Sequence, residues 1–485
     1  MRKYIFAVLV IAFLVTISLA GCKPENLTPE FISQVDKYKI SLEISSDLKK
    51  VNIFENVEVF NDSQDQWDVL VFNVYANAYR EHATEKAYFT ALARYGGLDL
   101  DSIKIDDYDY LTTSAVDSLD TILEIKLKEP LAPNNKVLIS MQGTLLIPSC
   151  NLRLGLSSGE YLNLGNFYPV LSVYENSNWR RDRYTRIGDP FYADIADYEV
   201  SVKCNEDLSV AISGDRKTES IDGGEKIITS YGQNLRDFAI VASYQLDKLT
   251  GLVGTTEINY YHSSAKDAEN CLISAISALE TFNSIIGNYP YKVLNLVETD
   301  FYYGGMEYSN LVYINRHSKN KKDVIVHETA HQWFACLVGS DSINSGWLDE
   351  GLVTYLTDYY YLKTEGEDVY IKRRQSEKSI LDTYLKMQIE ADSSFDQSIE
   401  RSLYKFKNNH DYCMIMYNKA GILFETLSHY VGYKKFESVL KTYYDKNCFK
   451  IANLESIYKA FQSNHKNIKA LTESYIADTM LTFVG

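Results

Sequence analysis

The stretch Val326-His327-Glu328-Thr329-Ala330-His331-Gln332-Trp333 constrains this chain more than any other, because it sets two imidazoles and a carboxylate in an H-E-x-x-H pattern. On an α-helix, residues four apart are offset by about 40° around the axis and about 6 Å along it, so His327 and His331 can grip one cation. Glu328, one position from His327, then reaches a water on that cation. A zinc site that does chemistry takes three protein ligands and leaves the fourth position to water, so a third ligand is needed. Glu350, in Trp347-Leu348-Asp349-Glu350-Gly351, is the candidate, on a second helix expected over Asp349 to Tyr360. Asp349 competes with it, but its shorter side chain and different register make it the second choice. With 8 His in 485 residues, H-E-x-x-H arises by chance in roughly 1% of shuffled chains, and in roughly 0.05% with a Glu also at that later position. The pattern implies a zinc hydrolase site.

The amino terminus carries an address. Met1-Arg2-Lys3 precedes an apolar run from Tyr4 to Leu19 and then Leu19-Ala20-Gly21-Cys22. Positive charge, a short apolar stretch and small residues before a cut are the marks of a secretory signal. Leu-Ala-Gly-Cys resembles the lipobox of bacterial lipoproteins, which implies cleavage after residue 21 and lipidation of Cys22; ordinary secretion with an incidental cysteine is the alternative. Lys23 to roughly Val35, with two prolines and alternating charge, reads as a tether, so residues 22–35 would hold the folded part off the outer face of a bacterial membrane.

An apolar content of 46% argues against disorder in the rest of the chain. The net charge of -16 disfavours nucleic acid as a partner and gives no sign of a basic patch for anionic lipid, so attachment would run through acyl chains alone. After Cys22 come Cys150, Cys204, Cys271, Cys336, Cys413 and Cys448. The even count permits three bridges, but the spacings form no framework, and Cys336 beside Leu337 and Val338 reads as buried packing.

Short runs rich in Ile, Val, Tyr and Phe predict strands over Tyr38 to Ser45, Val51 to Asn61, Trp67 to Tyr75, Ser102 to Tyr108, Thr121 to Leu127 and Lys136 to Leu146. A second set covers Tyr198 to Lys203, Ser209 to Ser213, Glu225 to Tyr231 and Phe238 to Ala242. Residues 36–247 are therefore assigned to an antiparallel β-sandwich-like domain. One further strand at Thr256 to Tyr261 precedes helical spacing from Ala265 to Ile286. Helices follow Tyr360 over Asp368 to Met387, Tyr412 to Tyr430, Lys434 to Asp445, Asn453 to His465 and Ile468 to Met480, so residues 248–485 form a mainly helical second domain in an α+β chain.

Two loops carry polar chemistry. Asn176 to Tyr184 contains Arg180, Arg181 and Arg183, which either bind an anionic group or form a solvated loop. In Tyr303-Gly304-Gly305-Met306-Glu307-Tyr308, two glycines let the backbone pass close to a ligand, and Glu307 then meets a cation; a plain hairpin turn is the alternative.

His327-Glu328-x-x-His331 with Glu350, preceded by Gly304-Gly305-Met306-Glu307, resembles the zinc aminopeptidases of the aminopeptidase N family, a gluzincin family. Thermolysin-like enzymes place the third ligand one residue further on. Asn234-Leu235-Arg236-Asp237-Phe238-Ala239 also resembles a segment at the end of that family's amino-terminal domain. The resemblance implies a β-rich domain followed by a thermolysin-like catalytic domain, one Zn2+ per chain, Glu328 as base and peptides as substrates. It implies a tyrosine that stabilises the tetrahedral intermediate, which Tyr417 matches in Tyr417-Asn418-Lys419-Ala420-Gly421 with one extra residue before the glycine. It implies that Gly304, Gly305, Met306 and Glu307 bind substrate, Glu307 taking the free α-amino group by charge-assisted hydrogen bonding.

The chain departs from the family in two places. The family's Asn after this glutamate is Tyr308 here, and the family's large carboxyl-terminal helical domain is not expected, which implies a more open cleft. Glu160 lies near where the β domain usually contributes a second amine-binding group. The resulting expectation is an exported, lipid-anchored metallo-aminopeptidase. A zinc endopeptidase of related fold and a peptide-binding lipoprotein without turnover are the alternatives.

Overall fold

The computed structural model describes residues 29–106, 108–111, 115–116, 121–461 and 465–476. The expected signal segment, Cys22 and the first half of the expected tether, up to residue 28, lie outside the described residues. Among the described residues no helix is long and apolar enough to cross a membrane.

Period-two patterning builds the first half. In Asp36–Ile44, Tyr38, Ile40, Leu42 and Ile44 turn inward while the alternate positions are wet, as a pleat with one buried face requires. This strand lies inside an eight-stranded sheet whose spatial order is Arg216–Asp222, Glu225–Leu235, Ala196–Asn205, Asp36–Ile44, Lys50–Phe60, Lys136–Leu146, Gly97–Ile105 and Tyr108–Asp109. Two four-stranded sheets accompany it, one built on Trp67–Asn73 and Ile122–Leu131, the other containing Leu154–Ser157 and Tyr161–Leu164.

The sheet is not purely antiparallel. Asp36–Ile44 pairs parallel with Ala196–Asn205, because some 150 residues separate them and no hairpin dictates their direction. Among the strands that escaped the sequence reading are Leu154–Ser157 and Tyr161–Leu164, whose every residue is buried so that no alternation shows, the edge strands Arg216–Asp222 and Asp247–Val253, and Leu311–Asn315.

The second half opens with a five-stranded sheet ordered Asp247–Val253, Thr256–His262, Val293–Thr299, Leu311–Asn315 and Gly305–Tyr308. The Gly-Gly-Met-Glu segment is thus an edge strand, antiparallel to its neighbour. Helices Ala268–Ile285, Lys321–His331 and Glu350–Thr364 pack together beside it. The expected helix from Tyr412 to Tyr430 is instead three pieces: Asn409–Tyr412, a π-helical stretch Cys413–Lys419, and Ala420–Val431. π turns recur at functional sites because the wider turn re-aims side chains.

The arginine loop is neither a free anion site nor merely solvated. Arg180 pairs with Glu175, Asp182 and Asp341, and Arg181 with Glu124. Cys150, Cys204, Cys271, Cys336, Cys413 and Cys448 are all free thiols.

Candidate active site

Ile325, Val326, Thr329 and Ala330 bury one face of the Lys321–His331 helix and turn His327 and His331 toward a cavity. The two rings lie 4.8 Å apart between centroids. Glu350 sits in the first turn of its helix, where the N-terminal dipole favours a carboxylate. Asp349 is committed elsewhere: its carboxylate accepts from the Glu350 amide at 2.6 Å and from the Ser340 hydroxyl at 2.8 Å. Glu350, not Asp349, joins the histidines.

Nε2 of His327 lies 3.2 Å from Nε2 of His331, and Oε2 of Glu350 lies 3.2 Å from His331 and 3.4 Å from His327. Three ligands at tetrahedral zinc distances lie roughly 3.3 Å from one another, so this triangle has the size one zinc ion requires. The donor chemistry agrees. Nδ1 of His331 faces the Phe334 carbonyl at 3.0 Å, which only accepts, so the proton sits on Nδ1 and Nε2 is bare. Nδ1 of His327 is 3.3 Å from the Thr357 hydroxyl, whose own proton goes to the Val353 carbonyl at 2.9 Å. Both Nε2 lone pairs therefore converge with a carboxylate oxygen, an arrangement that a shared cation relieves.

Around this triangle the charge is strongly negative. Glu307, Glu328 and His331 lie mutually within 4.8 Å, and so do Asp189, Glu307 and Glu350. Burial raises the Glu328 carboxyl to about 8, with Glu350 and Asp189 adding to the shift against His331. Glu307 is pushed well above the usual carboxylate range, again by burial first. Burial also acts on Glu350, but the two imidazoles outweigh it and hold that carboxyl low. Oε2 of Glu328 is buried without a hydrogen-bond partner among the described residues, as a base awaiting a water would be.

A cavity of about 440 Å³ joins these groups, lined by Gly304, Gly305, Met306, Glu307, His327, Glu328, His331, Glu350 and Tyr417 among others. Of the two glycines only one is sterically required. A Cβ on Gly305 would stand 2.5 Å from Oε1 of Glu328, whereas one on Gly304 would meet nothing nearer than Val324 at 3.5 Å. Tyr308 has its own reason: its hydroxyl donates to Asn166 at 3.0 Å and fills the space above Gly165, so the edge strand is pinned into the β-rich half.

Glu160 does not reach the cavity. It is exposed, in the turn closed by its amide on the Ser157 carbonyl at 2.9 Å. The carboxylate from the β-rich half is Asp189, ion-paired with buried Arg153, and both line the cavity. Arg153 also donates to the Met306 sulfur at 3.2 Å and to the Gly188 carbonyl at 3.2 Å. The sequence held no signal for this pair, since Arg153 and Asp189 lie outside any motif and meet only through the fold.

Residues 272–475 match the Peptidase family M1 domain. This matched stretch contains His327, Glu328, His331, Glu350 and Tyr417, in agreement with the resemblance of the motifs to the zinc aminopeptidases of the aminopeptidase N family. The leucine aminopeptidase 2 of Saccharomyces cerevisiae is 39% identical over 84 residues, covering 16% of this chain and 12% of the yeast protein. That of Vanderwaltozyma polyspora is 26% identical over 287 residues, 54% of this chain and 42% of its own length. The chain thus spans less than half the length of these curated relatives. In overall fold it is similar to the M1 zinc metallopeptidase of Deinococcus radiodurans, at TM-score 0.63 and 15% identity over 95% of this chain and 99% of that one. A mutant of that enzyme, described as bound to a Tyr-Ser-Ala substrate, gives TM-score 0.63 at 14% identity, covering 95% and 98%.

Proposed function

We propose that the chain is a zinc-dependent aminopeptidase that removes the first residue of peptides. The observation that carries this reading is the position of Glu307 and Asp189, two carboxylates within 4.8 Å of each other and of the ligand Glu350. A peptide's ammonium group held there puts its first carbonyl at the His-His-Glu triangle. A longer chain threading through brings no ammonium group to Glu307, whereas Asp189 keeps Arg153 as its partner in either case. The relatives' names and the Tyr-Ser-Ala complex of the fold neighbour agree with a peptide substrate.

His327, His331 and Glu350 would hold one zinc ion. Bound there, zinc supplies Lewis-acid polarisation and lowers the pKa of water to roughly 7. Glu328 takes the proton of the attacking water and returns it to the leaving amine. Glu307 and Asp189 orient the substrate by its ammonium group. The Tyr417 hydroxyl stands beside Glu350 at 2.5 Å and is near enough to donate to the oxygen of the tetrahedral intermediate.

The test is hydrolysis of a free-amine peptide library and its amino-acetylated counterpart, with and without chelator. Free-amine peptides should be cut and acetylated ones spared, with all activity lost to chelator. Equal cleavage of both sets would make the enzyme an endopeptidase; zinc binding without turnover of either would make it a peptide-binding protein.

The amino-terminal motif supports placement at the cell surface through lipid on Cys22. Cys22→Ser should move the protein from the membrane fraction to the soluble one, and unchanged membrane retention would rule that anchor out.

A further inference from the structure

Beyond the groups of the reaction centre, the same cavity is lined by a second set of polar side chains. Glu307 and Asp189 gather around His331 and Glu350. Asp323 and Val324 also line the cavity, on the same helix but about one turn before His327, roughly 6 Å further along the axis. Beside them stand Thr354 and Thr357 from the Glu350 helix and Glu377 from the helix Glu367–Ala391. With the ammonium group at Glu307 and the first carbonyl at the metal ligands, the side chain beyond the cut bond faces Asp323 and Glu377.

These two acids belong to a network with one carboxylate too many. Arg373 pairs with Asp323 and Asp358, Arg374 with Asp358, Glu377 and Glu425, and Lys378 with Glu425. Among the described residues these ion pairs thus join four carboxylates, Asp323, Asp358, Glu377 and Glu425, to three cations. Asp358, Arg374 and Glu425 are buried at 0%, 2% and 3% exposure, with Arg373 and Lys378 completing the pairing of the two acids, whereas the side chains of Glu377 and Asp323 keep 23% and 35%. The uncompensated charge therefore falls on the two acids that face the cavity. Burial and then repulsion from Asp358 raise the Glu377 carboxyl to about 8, so near neutral pH the surplus is met by a proton, which an arriving cation would displace.

We infer that Glu377, with Asp323, selects peptides whose second residue is lysine or arginine: the incoming cation supplies the charge the network lacks. This rests on the aminopeptidase reading and deepens it.

The experiment uses zinc-loaded Glu328→Gln protein, which binds without turnover, and measures its affinity for Leu-Lys-Ala, Leu-Leu-Ala and Leu-Glu-Ala by calorimetry. The lysine peptide should bind roughly tenfold tighter than the glutamate peptide, and Glu377→Gln in the same background should cut that ratio severalfold. Equal affinities for the two peptides, or a ratio that survives both Glu377→Gln and Asp323→Asn, would overturn the inference. The wild-type enzyme separates the two ideas. Cleavage of all three peptides at equal kcat/KM, with equal affinities, removes the second-residue preference and leaves the aminopeptidase standing. Cleavage of none removes the aminopeptidase and, with it, this assignment.

Discussion

The Tyr417 hydroxyl donates to Oε1 of Glu350 at 2.5 Å, while Oε2 of the same carboxylate faces both histidines. One oxygen is thereby reserved for the metal and the other for the tyrosine. The Tyr417 ring also lies parallel to His327, 5.7 Å between centroids at 10°. Tyr417 thus aims a ligand, and in the proposed mechanism its single hydroxyl proton turns from Glu350 to the reacting carbonyl.

Tyr417→Phe keeps the stacked ring and removes only the hydroxyl. At saturating zinc its kcat should fall by about 10²-fold, the loss of one oxyanion donor, with KM little changed. Zinc affinity, read by competition with a chelator, should fall by about tenfold as well, because the Glu350 carboxylate loses its orienting partner. A drop in affinity with kcat restored by excess zinc would confine Tyr417 to ligand aiming.

Thr357 tests the histidine side of the same principle. Its hydroxyl accepts from Nδ1 of His327 and so keeps the bare nitrogen on the metal side. Thr357→Val, a near-isosteric change, should weaken zinc binding by about tenfold while zinc-saturated kcat stays close to wild type. An unchanged dissociation constant would show that the ring is oriented by packing alone.

Gly304 and Gly305 look alike in the sequence and differ in space. Gly305→Ala drives a methyl into Glu328, with Oε1 at 2.5 Å and Cγ at 2.6 Å. The base must swing away, and kcat should drop by about 10²-fold or more. Gly304→Ala meets only Val324 at 3.5 Å, so its kcat should stay within about twofold of wild type; the pair of rates is the measurement. A similar loss for both variants would mean that the edge strand tolerates no side chain anywhere, and the specific clash would not be the cause.

How much of this was readable beforehand depends on which interactions are local. His327 and His331 could be paired from helical geometry, and Glu350 from one later position, because a helix fixes where residues four apart must lie. The strand Lys136–Leu146 appeared with its observed bounds, since alternation persists along its length. Asp189 was invisible for the opposite reason: it lies in a loop without periodicity, and its neighbours Glu307 and Arg153 are 118 and 36 residues away. Glu160, closer in sequence to the expected neighbourhood, turned out to face solvent. The π-helical stretch that carries Tyr417 was hidden too, because its apolar spacing still reads as α-helix over one turn.

Glu55 presents a cost that no part of the proposed chemistry requires. It lies on the inner face of Lys50–Phe60 at 0% exposure, and neither carboxylate oxygen has a hydrogen-bond partner among the described residues. Burial alone raises its carboxyl well above the ordinary range, so the folded protein holds this group protonated. In the unfolded chain it ionises near pH 4.3. Below that pH both states carry the proton and Glu55 adds no pH dependence. Above it the unfolded state gains by releasing the proton, and stability declines as pH climbs toward the folded value, by about 1.4 kcal/mol per pH unit while the folded group stays protonated. Glu55→Met, which removes the orphaned group at similar volume, should raise unfolding free energy by about 1–3 kcal/mol near neutral pH. Urea titrations of both proteins at pH 4.5 and 7.5 give the check: the gap should be wider at the higher pH. A gap that narrows as pH rises would mean that Glu55 is ionised in the fold, held by a partner, and that its burial is repaid.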